Sequence, residues 1–297
     1  MLPASPPLPD ALPDALPVLE AVRYVTPLRE GGSLPAVVEV EGGALFVAKF
    51  RGAGQGARAL VAELIVGSLA EVLGLPLPPL ALLRVAEPFG RSEPDPEIQD
   101  ILRGSRGLNV GLGFVEGAFG YDPLAAADLV PPALAAAVVW LDALTTNIDR
   151  TARNPNLLVA RPDGGRPALW LIDHGAALYF HHNWATVDEA RARAPFAPIR
   201  EHVLLPRAAS VLEADARLAP RLTEAAIGAV LARVPDALLV HAPEGQAPPF
   251  ETAAEARNAY ARFFRARLEA PRAFAQAAEQ ARRALPDAPP EALPYRR

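Results

Sequence analysis

Apolar and polar positions change their rhythm twice along this chain. Between residues 18 and 50, short β-type runs are separated by glycine turns. Val22-Arg-Tyr-Val-Thr26 comes first, then Arg29-Glu-Gly-Gly-Ser33, Ala36-Val-Val-Glu-Val40, Gly42-Gly43 and the run Ala44 to Phe50. That pattern predicts two hairpins of an antiparallel sheet. Arg51 to Gly56 is a glycine-rich turn. From Ala57 to Leu73 the rhythm becomes helical, with Leu60, Leu64, Val66, Leu69 and Leu73 on an apolar face. Gly74 caps this helix, and the prolines from Pro76 to Pro79 end it. Leu80 to Ala86 reads as a strand, Glu87 to Pro96 as a polar, proline-rich loop, and Gly107 to Gly120 as a strand-like stretch with five glycines. After Asp122 the character changes again. Residues 132–146 form an apolar helix, 147–156 a polar loop, 157–160 and 169–173 two short strands, and from about 199 onward almost everything is helical. The prediction is an α+β chain with a Pro-rich flexible arm over 1–17, a small β-rich N-lobe over 18–116 and a larger helical C-lobe over 117–297.

Composition narrows the function classes. The chain has 297 residues, net charge −5 and no cysteine. The negative balance provides no global basic field to recruit nucleic acid, and sparse aromatics provide no stacking platform for it. Without cysteine there are no disulfides, thiolate metal sites or cysteine nucleophiles, which is compatible with a reducing cytoplasm, the expected location. Residues 1–17 lack a positive n-region and do not read as a signal peptide. The longest apolar stretch, Ala133 to Leu144, is interrupted by Asp142 and too short to span a bilayer, so it reads as a buried helix and no membrane is expected.

The chemistry begins with an anomaly. Of 29 basic residues, one is lysine. Lys49 sits within the run Ala44 to Phe50, which reads as a half-buried strand carrying Val47-Ala-Lys49. Arginine and lysine differ most where a compact point charge is needed, and a strand lysine meeting nucleotide phosphates is such a place. A chance survivor of an arginine-biased composition is the plain alternative. The loop Thr146-Asn-Ile-Asp-Arg-Thr-Ala-Arg-Asn-Pro-Asn156 holds three of the chain's six asparagines. Within it, Asp149 and Asn154 have the D-x-x-x-x-N spacing in which the aspartate accepts the substrate proton and the amide oxygen binds Mg²⁺; an Asx-rich turn ending at Asn-Pro is the competing reading. Ala168 to Gly175 is an apolar strand ending in Asp173-His-Gly175, a position from which a carboxylate can hold a metal between phosphates. Glu63, on the helix after the lysine strand, is the candidate partner of Lys49, with Glu71 its competitor. Gly31, Gly32 and Ser33 occupy the place of a phosphate-covering loop without matching its glycine pattern.

Taken in order, V-A-K, a helix glutamate, N-I-D-R-T-A-R-N and L-I-D-H-G resemble the protein-kinase-like fold, and within it the HipA-like kinases, with the phosphoinositide lipid kinases as cousins. The resemblance covers about residues 18–185. It implies a two-lobed kinase-like fold using ATP and Mg²⁺, with Lys49 on the α/β-phosphates, Asp149 as catalytic aspartate and Asn154 with Asp173 as Mg²⁺ ligands. Asn147 stands two residues before Asp149, as in that family. The resemblance further implies adenine at an interlobe hinge, assigned to Phe114-Val115-Glu116. The chain departs from the family at Thr151, where histidine is usual, and at Arg153, where lysine is usual. The phosphoryl acceptor is expected to be a hydroxyl, Ser or Thr of a protein. A small-molecule kinase of the aminoglycoside or choline type is the rival, although those carry His-Gly before the aspartate. A pseudokinase acting as an interaction module is the other alternative.

Two features stand outside this scheme. His181-His182, read as a strand pair on opposite faces, are not expected to bind metal. Glu255 to Leu285 reads as one arginine-rich helix with an apolar face inward and solvated arginines outward.

Overall fold

In the computed structural model, residues 12–13, 15–28, 34–54, 56–91, 93–161, 165–242 and 247–285 are described. The fold is α+β, with strands towards the N-terminus and helices towards the C-terminus. Five strands close into a barrel: β1 (Val18–Pro27), β2 (Ala36–Val40), β3 (Leu45–Lys49), β4 (Leu80–Val85) and β5 (Gly107–Gly113), in the order β1-β2-β3-β5-β4. The sequence predicted antiparallel hairpins but not closure. Closure comes from β1, which pairs parallel with β4 through Val18 to Ala21 and antiparallel with β2 from Ala21 to Pro27. Register shifts between Ala21 and Arg23 and between Tyr24 and Thr26 bend the strand so that it can serve both edges.

One level of the barrel is made of small residues. Ala36 pairs with Ala48, Ala48 with Gly111, and Gly111 with Ala81. A Cβ on Gly111 would lie 2.7 Å from Leu83 Cγ, so only glycine fits there. This narrow level leaves a bore that Val38, Leu83 and Val85 fill and that Phe50 and Phe89 help to close. The short helix α2 (Pro96–Gly104) adds Ile98 and Leu102 to the same cluster. Sequence patterning left α2 unassigned, although Ile98, Ile101 and Leu102 stand at helical spacing and Ile101 packs on the same cluster. Its start is nevertheless locally encoded: the Asp95 side chain accepts from Glu97 N at 3.0 Å, and Pro96 takes the first turn.

Helix α1 (Gly56–Leu73) is buried on nearly every side, including Glu63 and Ser68. It packs on β4 and β5 and against α6 (Glu224–Ala232) and α7 (Asp236–Leu239). It therefore belongs to the larger core, which also holds α3 (Pro132–Leu144) and the C-terminal helices, while the barrel interior is a separate apolar cluster. The arm expected over 1–17 is not loose to its end: Leu16 is buried in the larger core and Pro17 O accepts from Leu82 N at 2.9 Å, because the chain here already runs onto the barrel edge. Residues 1–11 and 14 lie outside the described residues.

A second sheet, in the order β6-β7-β8, is formed by β6 (Phe119–Gly120), β7 (Leu157–Ala160) and β8 (Ala168–Leu171). Leu157 pairs with Leu171, so the β7–β8 hairpin sets Asn156 beside Ile172, and Ile172 N donates to Asn156 O at 3.2 Å. The remaining helices are α4 (Glu189–Arg193), α5 (Val211–Leu218), α8 (Ala253–Leu268) and α9 (Ala273–Arg283). The single helix expected over 255–285 is thus two helices, broken where Pro271 cannot continue the first. Its arginines are not all solvated either. Arg267 is 3% exposed and donates to the carbonyls of Ala143, Leu144, Ala192 and Ala194 at 2.6–3.0 Å, with Phe274 beside its guanidinium. No described helix is long and apolar enough to cross a membrane.

Candidate active site

Lys49 lies at the very end of β3 and is almost fully buried. Its Nζ lies 2.8 Å from Glu63 Oε2 and 2.5 Å from Asp173 Oδ1. Glu63 comes from the inward face of α1, and Asp173 from the turn after β8. Glu71, the competitor for Lys49, instead pairs with Arg233. Two carboxylates therefore share one ammonium, leaving the group with a net negative charge. Desolvation by burial would by itself lower the lysine, but Glu63 and Asp173 outweigh it and hold Lys49 above its ordinary value. Burial raises Glu63 more than Lys49 lowers it. At Asp173 the balance is reversed: desolvation is outweighed by Lys49, and the carboxyl sits below the usual range.

Asp173 has φ +53°, a left-handed conformation uncommon for a residue with a Cβ. The neighbouring contacts fix it there. Lys49 holds its carboxylate, and the next N–H, that of His174, donates to Glu63 Oε2 at 2.8 Å. One glutamate oxygen thus pins both the lysine and the Asp-His-Gly turn. A small pocket opens at this point, lined by Lys49, Phe50, Gly56, Leu60, Asp173 and Gly175.

Asp149 stands in the loop between α3 and β7. Its Oδ2 accepts from Asn154 Nδ2 at 2.8 Å and Asn156 Nδ2 at 3.2 Å. Its own N–H donates to Asn147 Oδ1 at 3.1 Å. Both amides of the Asn-Pro-Asn end therefore converge on one carboxylate; Asn154 is exposed, while Asn156 is buried and has φ +49°. Because each amide gives its nitrogen to Asp149, its oxygen lone pairs point elsewhere.

Behind this loop lies a buried polar network that the sequence reading missed. Asp142 of α3, Arg150, His174 and His202 are all at most 5% exposed. Arg150 Nε donates to Asp142 Oδ2 at 2.5 Å, and His202 Nε2 lies 2.8 Å from the same oxygen. Asn147 Nδ2 donates to Asp142 Oδ1 at 3.0 Å. Leu204 N donates to His202 Nδ1, so the proton of a neutral His202 is on Nε2, directed at Asp142. Desolvation works against the charged form of Asp142, but Arg150 and His202 outweigh it and hold its carboxyl far below the usual carboxylate range. Burial, with Arg150 beside it, pushes His174 down to about 3. The one available signal was Asp142 itself, a charge inside an otherwise apolar helix.

The remaining candidates fall elsewhere. Gly31, Gly32 and Ser33 lie outside the described residues. Phe114, Val115 and Glu116 follow β5 in a link that turns at Gly117 towards β6; Phe114 is exposed and its N–H donates to Leu45 O at 2.9 Å. His181 and His182 are not in a strand but in a 3-10 turn over Tyr179–Thr186, with His181 buried against the Tyr260 hydroxyl at 2.9 Å. Local 3-10 geometry, not alternation, separates their environments. Among the described residues no three His, Cys, Asp or Glu side chains gather as a metal cluster.

A family described as HipA-like kinase matches residues 21–238, well over half of the chain. Among solved structures, the chain is similar to that of a Helicobacter pylori proinflammatory kinase, CtkA. The two share 12% identity, 90% of this chain and 98% of that one are covered, and the TM-score is 0.48. No curated protein sequence matches the chain.

Proposed function

The chain belongs to the HipA-like kinase family, and from that premise we propose that it is a two-lobed enzyme that transfers the γ-phosphoryl group of ATP, with Mg²⁺, to a hydroxyl, that of a protein serine or threonine. The observation that carries this reading is the Lys49–Glu63–Asp173 ion triad, in which Lys49 and Glu63 are buried and Asp173 is partly open to solvent. Such a triad is what a nucleotide site needs: a point charge for phosphate, fixed by a helix carboxylate, and a second carboxylate close by for a metal.

The donor set fits Mg²⁺. Asp173 would supply a carboxylate oxygen and Asn154 an amide oxygen, both hard donors, and Mg²⁺ takes few protein ligands because it keeps waters and phosphate oxygens. The triad's net negative charge also favours an added cation. When bound, the metal would neutralise charge on the phosphates. The chain's own residues do the rest. Lys49 binds the α/β-phosphates. Asp149, with Oδ2 occupied by the two amides, keeps Oδ1 to orient the acceptor hydroxyl and take its proton. Phe114 to Glu116 are proposed to border the adenine, and Gly31 to Ser33 to cover the phosphates.

The test is incubation of the full chain with γ-labelled ATP and Mg²⁺ against a cell extract, followed by location of the label. Asp173→Ala should abolish transfer. Asp149→Asn should keep ATP affinity within about tenfold while cutting turnover on the order of a hundredfold or more. Equal loss of binding and turnover in Asp149→Asn would refute its role as proton acceptor.

A further inference from the structure

We propose that Arg150 is a positioning residue, whose guanidinium, braced by Asp142, sets the Asp149 loop and the Asp173 turn in register with each other. The inference rests on the phosphotransfer reading above and adds to it a residue that touches no reactant.

Arg150 is 1% exposed, so its donors must be satisfied within the protein. They are distributed over both arms of the site. Nη1 donates to the carbonyl of Asn156, at the end of the Asp149 loop, and to that of Ile172, just before Asp173, at 3.4 Å. Nη2 lies 3.2 Å from His174 Nδ1, just after Asp173. One planar group thus grips Asp173 from both flanks while being covalently next to Asp149. Lysine could not substitute, because an ammonium offers its donors from a single atom and not from a fork.

Asp142 completes the brace. It fixes the guanidinium at Nε, and it also holds Asn147, whose Oδ1 accepts the Asp149 N–H. Asp149 is therefore held on its N-terminal side through Asn147 and on its C-terminal side through Arg150, both anchored on one carboxylate. His202 and the Val203 N–H, which donates to Arg150 O at 3.1 Å, hold the assembly from the C-terminal side. The brace matters because Asn156 and Asp173 both have positive φ, conformations that persist only when surroundings enforce them. A buried ion pair is weak support for stability as such, since an apolar pair often does as well; fixing a geometry is the role such a pair can add.

The test separates positioning from mere stability. The variants are R150M, R150K and the charge-balanced double variant D142N/R150M, which keeps the fold testable if a lone buried charge unfolds the singles. The readouts are melting temperature, kcat and KM for ATP, and amide hydrogen exchange over residues 147–158 and 170–176. The expected result is a double variant melting within a few degrees of the parent, with kcat down on the order of a hundredfold and KM for ATP changed less than about tenfold. Exchange should rise in those two segments together and not in the barrel. A double variant that recovers parental kcat along with its melting temperature overturns the proposal, as does unchanged exchange in either segment. If the parent transfers no phosphate to any acceptor, the phosphotransfer reading fails on its own, and the exchange result still decides whether Arg150 sets the register.

Discussion

Glu63 offers the sharpest test of how the ion triad is held, because two substitutions remove different things. Glu63→Gln removes the charge and keeps the shape. Both hydrogen bonds to the glutamate, from Lys49 Nζ and His174 N, go to the same oxygen, Oε2, each at 2.8 Å. An amide oxygen placed there retains both, and the amide nitrogen falls where Oε1 now sits buried without a partner. The attraction lost is about 6 kcal/mol for unit charges 2.8 Å apart at an effective dielectric of about 20. Against this, a fully buried carboxylate no longer has to be desolvated, and its repulsion with Asp173 disappears. Burial raises the Glu63 pKa despite Lys49, which says that the unfavourable contributions are the larger. The net change in stability for Gln should therefore be small, within about 1.5 kcal/mol. Glu63→Leu instead orphans the His174 N–H and leaves Lys49 with Asp173 alone, and should cost about 3–5 kcal/mol. Urea unfolding of both variants, with m compared to confirm an unchanged denatured state, measures the difference. Equal losses in the two variants, or a Leu variant within about 1 kcal/mol of the parent, would refute the claim that the shared oxygen pins the turn.

Other outcomes follow from the same geometry. Lys49→Arg should abolish ATP-dependent thermal stabilisation, because a planar fork cannot sit between Glu63 Oε2 and Asp173 Oδ1 as a compact ammonium does; a shift equal to the parent's would contradict this. Arg267→Met should destabilise the chain by about 3–5 kcal/mol, since four carbonyls, three of them in buried hydrogen bonds, lose a charged donor; a loss under about 1 kcal/mol in urea unfolding would show that those carbonyls find other partners. Stability should fall as pH drops below 6.5, because burial lowers His174 to about 3 and His181 well below its ordinary value, so the unfolded chain takes up protons that the native chain does not. The His174 share should come to roughly 1 kcal/mol between pH 7.5 and 5.5, and His181 acts in the same direction; Glu63, whose raised pKa acts in the opposite sense, reduces the net slope, and His181→Phe should remove that residue's share when unfolding is followed across the same pH range.

Lys49, Asp149, Asn154 and Asp173 stand out as candidates in the sequence because the loop and strand-end pattern is written in short, fixed spacings. Lys49, Glu63 and Asp173 then meet in space because β3, α1 and the β7–β8 hairpin each deliver one of them. Barrel closure was not legible, since no local pattern announces that β1 will bend and pair parallel with β4. The Asp142–Arg150–His174–His202 network was not legible either, because burial of a charge is decided by elements distant in sequence.

The arginines carry the deeper reason. In an arginine-rich chain the pattern assigns them to solvent, yet several reach across to the ends of helices, where backbone carbonyls lack partners. Arg221 donates to Val72 O and Leu73 O at the end of α1. Arg257 donates to Leu231 O and Val234 O around the end of α6. Arg267 does the same for Ala143 O and Leu144 O at the end of α3, the helix that leads into the Asp149 loop. Each fork satisfies two carbonyls at once and places positive charge at the negative end of a helix dipole. Lysine would do this poorly, for it offers one point and no plane. At these three helix ends the fork bridges carbonyls, whereas the single ammonium stands in the buried end of β3 between two carboxylates.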